Sequence, residues 1–319
     1  MKRQVMVFVV LAMVSIGLVF SPAAYAKLDN DEIDVTVIVH CCFGHPFWEP
    51  LLNGAKEAAK MFDVNVDFQN AEGDVAKNVN LIEQAIANKQ DAIIPMITDP
   101  DAMSEPLKKA RAQGILVIAS NVDSSRDPDV REAYVGAENV ASGELIARRI
   151  VTEFNIPQGS KCLVSGGIVE MSHIAERVEG ITKGLEKAGM KYEVVRTGET
   201  AEECLTITAQ YLLANPDTAC VIGAGAAPTQ VAPQAMEEAG LDNIPNGGYD
   251  LTPKIVENIK AGLTTASVDQ QPFWQGFLPV MMAAYHKRYG LAPASFNTSN
   301  ALVDQAGLGK VEEYTGTYR

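Results

Sequence analysis

Val35-Thr36-Val37-Ile38-Val39 is a short β-rich run that leads directly into His40-Cys41-Cys42-Phe43-Gly44-His45-Pro46-Phe47-Trp48. Beyond Pro46 the apolar residues Leu51, Leu52, Ala55, Ala59 and Phe62 recur at helical spacing. A strand, a polar and aromatic turn, then an amphipathic helix is one βα unit. The same unit recurs downstream. Val64 to Phe68 reads as a strand, and Asp74 can cap a helix carrying Val75, Val79, Ile82 and Ile86 on one face. Ala92 to Met96 is a buried strand. Asp99-Pro100 starts a helix carrying Met103, Leu107 and Ala110, and Ile115 to Ala119 and Ala133 to Val135 are further strands. Serial βα units imply a parallel sheet with right-handed crossovers.

A helix from about Asn139 to Phe154 separates this half from a second run of the same kind. Its strands are predicted at 162–165, 192–196, 219–222, just before Tyr249, and at 264–268. Its helices are predicted at about 174–188, 202–213, 229–239 and 253–260, the last opened by Thr252-Pro253, and a long final helix covers about 273–288. No flexible linker divides the halves. Two α/β lobes with a cleft between them follow, and in open parallel sheets ligands bind beyond the carboxyl ends of strands.

Lys2 and Arg3, the apolar run Val5 to Phe20, the break at Ser21-Pro22 and the small-x-small site Ala24-Tyr25-Ala26 read as a secretory signal cut after Ala26. No cysteine follows the run closely enough for lipid attachment. The expectation is a freely soluble periplasmic protein and a monomer. With 47% hydrophobic and 21% charged residues, disorder, collagen and coiled coil are excluded. A formal charge of −14 argues against nucleic acid, because phosphate neutralisation needs a basic face.

The residues that follow the strands are polar and aromatic. They are the His40–Trp48 segment, Ser120-Asn121-Val122-Asp123, Gly166-Gly167 with Met171, His173 and Arg177 downstream, Gly223-Ala224-Gly225, Tyr249-Asp250 and Asp269-Gln270-Gln271. Aromatic faces mixed with carboxylates, amides and one arginine suit a neutral polyhydroxylated ligand. Its C–H faces stack on rings while its hydroxyls exchange hydrogen bonds with planar polar groups.

Four motifs in order carry a family resemblance: His45-Pro46-Phe47-Trp48 before Gly54-Ala55, Glu176-Arg177-Val178-Glu179-Gly180, Gly248-Tyr249-Asp250 before Thr252-Pro253, and Ser267-Val268-Asp269-Gln270-Gln271-Pro272. With them the chain resembles the ribose-binding branch of periplasmic sugar-binding proteins, the type I solute-binding proteins of ABC importers. The resemblance implies two Rossmann-like lobes joined by three crossings, near Ala137-Glu138, near Gln270 and near Thr298 to Leu302. The N-terminal lobe would hold residues 27–137 plus 271–299 and the C-terminal lobe 138–270 plus 300–319, after a signal peptide at 1–26. Hinge closure around the ligand would present the closed form to a membrane permease.

By position, the resemblance implies that Phe47 and Trp48 stack on a sugar, that Asn121 binds hydroxyls, and that Arg177, Asp250 and Gln270 hydrogen-bond hydroxyls or a ring oxygen. The chain also departs from the family. The arginine expected after the Ile115 strand is Val122, the asparagine of the second lobe falls near Gly225, the first-strand polar residue is Cys41, and a second-lobe aromatic falls near Glu199. His45, His173 and Asp123 are candidates for replacement contacts, and Trp274 for a second stacking face. No cofactor and no resident metal are implied.

The five cysteines are Cys41, Cys42, Cys162, Cys204 and Cys220. One pair among the last three is possible, a vicinal Cys41–Cys42 bridge is disfavoured by geometry, and buried unreactive thiols are the default. His40, Cys41, Cys42 and His45 resemble a metal-ligand cluster, but adjacent cysteines at a strand end point to opposite faces. A nucleophile from Cys41 or Cys42 with His173 is the enzymatic alternative. A sensor subunit that presents its ligand to a membrane receptor or kinase is the other. No G-x-S-x-G elbow, HExxH or P-loop is present.

Overall fold

The computed structural model describes residues 32–41, 44, 47–123, 127–241 and 243–319, all within the unit Glu32–Arg319. The expected signal peptide and its cleavage site, His45 and Cys42 lie outside the described residues.

The first lobe runs β1 (Asp34–Val39), α1 (Trp48–Phe62), β2 (Asn65–Asn70), α2 (Val75–Ala87), β3 (Ala92–Pro95), α3 (Pro100–Ala112), β4 (Leu116–Asn121) and β5 (Ala133–Gly136). The second runs α4 (Asn139–Glu153), β6 (Lys161–Ser165), α5 (Ser172–Lys187), β7 (Lys191–Val195), α6 (Ala201–Ala214), β8 (Thr218–Gly223), α7 (Ala226–Glu238), β9 (Asn246–Tyr249), α8 (Pro253–Lys260) and β10 (Ala266–Asp269). The chain ends with α9 (Pro272–Tyr289), β11 (Phe296–Asn297), β12 (Ala301–Asp304) and α10 (Leu308–Tyr314).

The two sheets share one plan. The first has the order β2-β1-β3-β4-β5-β11 and the second β7-β6-β8-β9-β10-β12. Every pairing is parallel except β10 with β12. Strand order reverses between β1 and β3 and again between β6 and β8, so each lobe offers one switch-point crevice. The chain passes between lobes after β5, after β10, and between β11 and β12. These are the three crossings anticipated from the resemblance.

Local sequence accounts for the helix starts. Asp74 accepts from the Lys77 N–H and Asp99 from the Ala102 N–H, so each caps the helix that follows. Thr200 and Glu203 form a reciprocal capping box on α6. Thr252 caps α8 with Pro253 in its first turn. Strand β1 is buried on both faces. Val35, Val37 and Val39 join the core under α1 and α9, while Ile38 joins the core with α2 and α3 residues. Helix α9 follows a second-lobe strand yet packs on α1, because glycines let the backbones touch. A Cβ at Gly54 would lie 2.1 Å from the Phe273 carbonyl oxygen, and one at Gly276 would lie 1.9 Å from that of Leu51.

Cys162 and Cys220 face each other on β6 and β8 and form a buried disulfide. Cys41 is also disulfide-bonded, and Cys204 is buried and free. The default of unreactive thiols therefore holds for Cys204 alone among these four. In a disulfide Cys41 offers no thiolate, so it cannot supply the nucleophile of the enzymatic alternative.

Candidate functional site

Seven of the residues singled out in the sequence meet in one cavity of about 120 Å³ between the lobes. The first lobe contributes His40, Phe47, Trp48 and Asn121. The second contributes His173, Arg177 and Asp250, and Gln270 enters from the second crossing. At roughly 30 Å³ per water, the space holds about four waters, within the range a small polar molecule would displace.

The aromatic wall is built at the start of α1. Trp48 packs edge-on to Phe47, with ring centroids 4.8 Å apart, and edge-on to the His40 imidazole at 5.0 Å. The His40 Nδ1 lies 3.4 Å from the Met96 sulfur. Trp48 is buried and belongs to the first-lobe core, so it both packs and faces the cavity. The expected second stacking face, Trp274, lies on α9 edge-on to Phe273 and Phe277, 40% exposed, and lines no cavity at this site. The glycine contact that docks α9 on α1 leaves that ring on the outer side.

The polar wall comes from α5 and from the ends of β9 and β10. Arg177 is buried. Its Nε donates to Asn139 Oδ1 at 3.0 Å and its Nη1 to the Ala224 carbonyl at 3.3 Å, while its guanidinium stacks 4.4 Å from the centre of the Tyr249 ring. That fork is pre-set before any ligand arrives. Gln270 Nε2 donates to Asp250 Oδ1. Ser267 Oγ donates to the Asp250 carbonyl at 2.7 Å, which fixes the turn after β9. Gln270 Oε1 is buried and has no hydrogen-bond partner among the described residues. An orphaned buried acceptor is costly unless a ligand donor completes it.

Three of these strand ends sit in the left-handed region: Asn121 (φ 59°), Asp250 (φ 77°) and Gln271 (φ 49°). Non-glycine residues adopt it at a cost and gather where side chains must be aimed. Burial lowers the His40 pKa to about 4. Burial, with Arg177 and His40 nearby, lowers that of His173 to about 3. Both imidazoles are neutral near pH 7. Burial also pushes the Tyr249 hydroxyl up to about 12, so it stays a neutral partner to Ser142 Oγ at 2.9 Å.

The remaining candidates are placed elsewhere. Asp123 lies in an adjoining cavity of about 350 Å³, where Arg131 grips it with two guanidinium nitrogens. Cys41 lines another neighbouring cavity, of about 540 Å³, with Glu72, Asn78, Asp99 and Glu199. Gly225 precedes α7 and packs toward Ile174 rather than lining the 120 Å³ cavity. His173 borders all three cavities. Among the described residues no group of three or more His, Cys, Asp or Glu is placed to hold a metal ion.

Sequence reasoning named His40 only as a strand-end residue and a member of a metal-like cluster, and passed over Asn139 and Gln275. His40 was visible as the first residue beyond β1, the position the switch-point rule singles out. Asn139 and Gln275 act only through the residues they hold, and nothing in their local pattern marks them.

The fold and site together define a two-lobed binding protein. The chain belongs to the periplasmic binding protein domain family, whose model matches residues 35–290. It is 29% identical over 272 residues to the xylose/arabinose-binding protein XylF of Sulfolobus acidocaldarius, covering 81% of this chain and 67% of that one. It is 27% identical over 281 residues to the ribose import binding protein RbsB of Bacillus subtilis, covering 85% and 89%. In fold it is similar to a carbohydrate transporter from Acidothermus cellulolyticus solved with myo-inositol, with a TM-score of 0.78, 24% identity and coverage of 89% and 98%. These relatives are named for binding and import, not for catalysis.

Proposed function

We propose that the chain is an extracytoplasmic solute-binding protein that captures a monosaccharide or sugar-like polyol between its lobes and delivers it to a membrane ABC permease. One observation carries the reading. The unsatisfied Gln270 Oε1 is buried beside a cavity with an aromatic wall on one lobe and Arg177 and Asp250 on the other. A ring with apolar C–H faces and a hydroxylated rim satisfies both walls at once. The names of the xylose/arabinose- and ribose-binding relatives support the substrate class. The lobes are residues 27–137 plus 271–299 and 138–270 plus 300–319, and the leader is removed after Ala26.

A thermal-shift panel of pentoses, hexoses, deoxysugars, polyols and nucleosides tests this. A micromolar ligand at millimolar concentration raises stability by about 4 kcal/mol. A shift with one sugar or polyol names the ligand class. No shift across the panel rejects it.

A further inference from the structure

Residues 314–319 leave α10, which packs in the second lobe with Leu251, Ile255 and Ile259 through Leu308 and Val311. They then turn onto the first lobe. Asn53 Nδ2 on α1 donates to the Thr317 carbonyl at 3.2 Å. The Tyr318 ring lies 4.9 Å from Phe273 on α9, and its hydroxyl lies 3.4 Å from Glu57 on α1. Arg319 then returns to the second lobe and pairs with Asp269, the last residue of β10. In six residues the segment holds α1, the start of α9 and the end of β10.

Each of these points adjoins the candidate site. Helix α1 begins with Trp48. Asp269 precedes Gln270, and its Oδ1 accepts from the Gln271 N–H at 2.8 Å, fixing the left-handed turn of the second crossing. A small cavity of about 20 Å³ has Arg319 and Gly316 on one side and Phe47, Asp250 and Gln270 on the other. Asp269 is 1% exposed and lies near the Asp250 carboxylate. A buried carboxylate in that position needs a cation, and Arg319 supplies it.

We propose that residues 314–319 form a strap across the lobes and that Arg319 is a positioning residue for ligand capture, acting through Asp269 on Gln270 and Asp250. The strap ties the helix that carries Trp48 to the strand end that carries Gln270, so it holds the two walls of the cavity at working distance. Only molecules in that geometry bind, and apparent affinity scales with the fraction that occupy it. The inference rests on the solute-binding reading for its consequence but not for its geometry.

The test uses the full chain labelled at Glu105→Cys and Glu202→Cys, exposed positions on α3 and α6, for distance measurement by fluorescence transfer. Arg319→Gln, Arg319→Lys and a chain ended after Tyr314 are compared without ligand and with the sugar identified by the panel. The expected result is a longer, broader ligand-free distance for Arg319→Gln and for the shortened chain. Sugar binding should weaken about tenfold, as follows when the competent fraction falls tenfold, and Arg319→Lys should recover most of both. Unchanged ligand-free distances in both variants overturn the strap. If the unmodified protein binds no sugar, the solute-binding reading fails, and the strap is judged on the distances alone.

Discussion

Asn121 Nδ2 donates to Gln275 Oε1 at 2.9 Å, and this contact helps lock a strand end of the first lobe to the crossings. Gln275 Nε2 in turn donates to the Gln270 carbonyl and to Thr298 Oγ1, each at 2.9 Å, while Ser120 Oγ donates to the Gln275 carbonyl. One fully buried amide thus joins β4, the second crossing and the third. The cavity residues Asn121 and Gln270 are aimed by it. A satisfied buried network specifies geometry because every alternative arrangement strands a polar group.

Gln275→Leu keeps the volume and removes the amide. It leaves Asn121 Nδ2, the Gln270 carbonyl and Thr298 Oγ1 without this partner, at about 1–3 kcal/mol for each group left unsatisfied. Urea unfolding should show a lower midpoint, and sugar affinity should fall with it. An unaltered midpoint would mean that water or a neighbour replaces the amide and that the network carries no weight.

Asp250 holds its place at φ 77° and receives Gln270 Nε2. Asn tolerates the left-handed region, so Asp250→Asn removes charge without adding backbone strain. Loss of one charge-assisted hydrogen bond in a dry cleft costs about 2–4 kcal/mol, or roughly 30- to 1,000-fold in affinity. Titration calorimetry should show this drop while circular dichroism stays unchanged. Affinity within threefold of the unmodified protein would take Asp250 out of the ligand contacts.

Much of this was legible in the sequence. Strand and helix alternation is set by local apolar period, and the helix starts at Asp74, Asp99 and Thr252 are written in single capping residues. The strand-end rule and the family resemblance together lead to Phe47, Trp48, Asn121, Arg177, Asp250 and Gln270, which meet in one cavity. The misplacements share a cause. Asp123 lies only two residues beyond Asn121, the last residue of β4, but Arg131, eight residues on, draws it into an ion pair. Trp274 stands at a helix start facing the hinge in sequence, yet the close backbone approaches at Gly54 and Gly276 decide which way α9 rolls. Both outcomes depend on side chains distant in sequence or in the fold, and one chain's local pattern carries no record of them.

The Cys162–Cys220 bridge spans 58 residues and ties β6 to β8 across the second-lobe switch point. A cross-link of that span restricts the unfolded chain by about 2–4 kcal/mol. The double variant Cys162→Ala/Cys220→Ala should therefore unfold at lower denaturant. Because both sulfurs are buried, the folded protein should resist mild reductant that reduces the unfolded chain at once. Equal stability of the double variant and the parent would show that the bridge constrains nothing that packing does not.

His40 and His173 give the candidate site a pH signature. Both ordinarily titrate at 6.5, and the folded protein holds them at about 4 and about 3. Below pH 6.5 the unfolded chain takes up protons that the folded protein refuses, so stability is complete above 6.5 and falls as pH drops toward 4. Each histidine contributes a slope of up to about 1.4 kcal/mol per pH unit in that window. Protonating His173 also puts a cation near Arg177, so the liganded protein should show the same acid sensitivity. Unfolding measured from pH 7 to pH 4 should show this decline, and His173→Gln should flatten it. Parallel stability curves for parent and variant would show that His173 charges as readily folded as unfolded, and that the cavity admits enough water to solvate it.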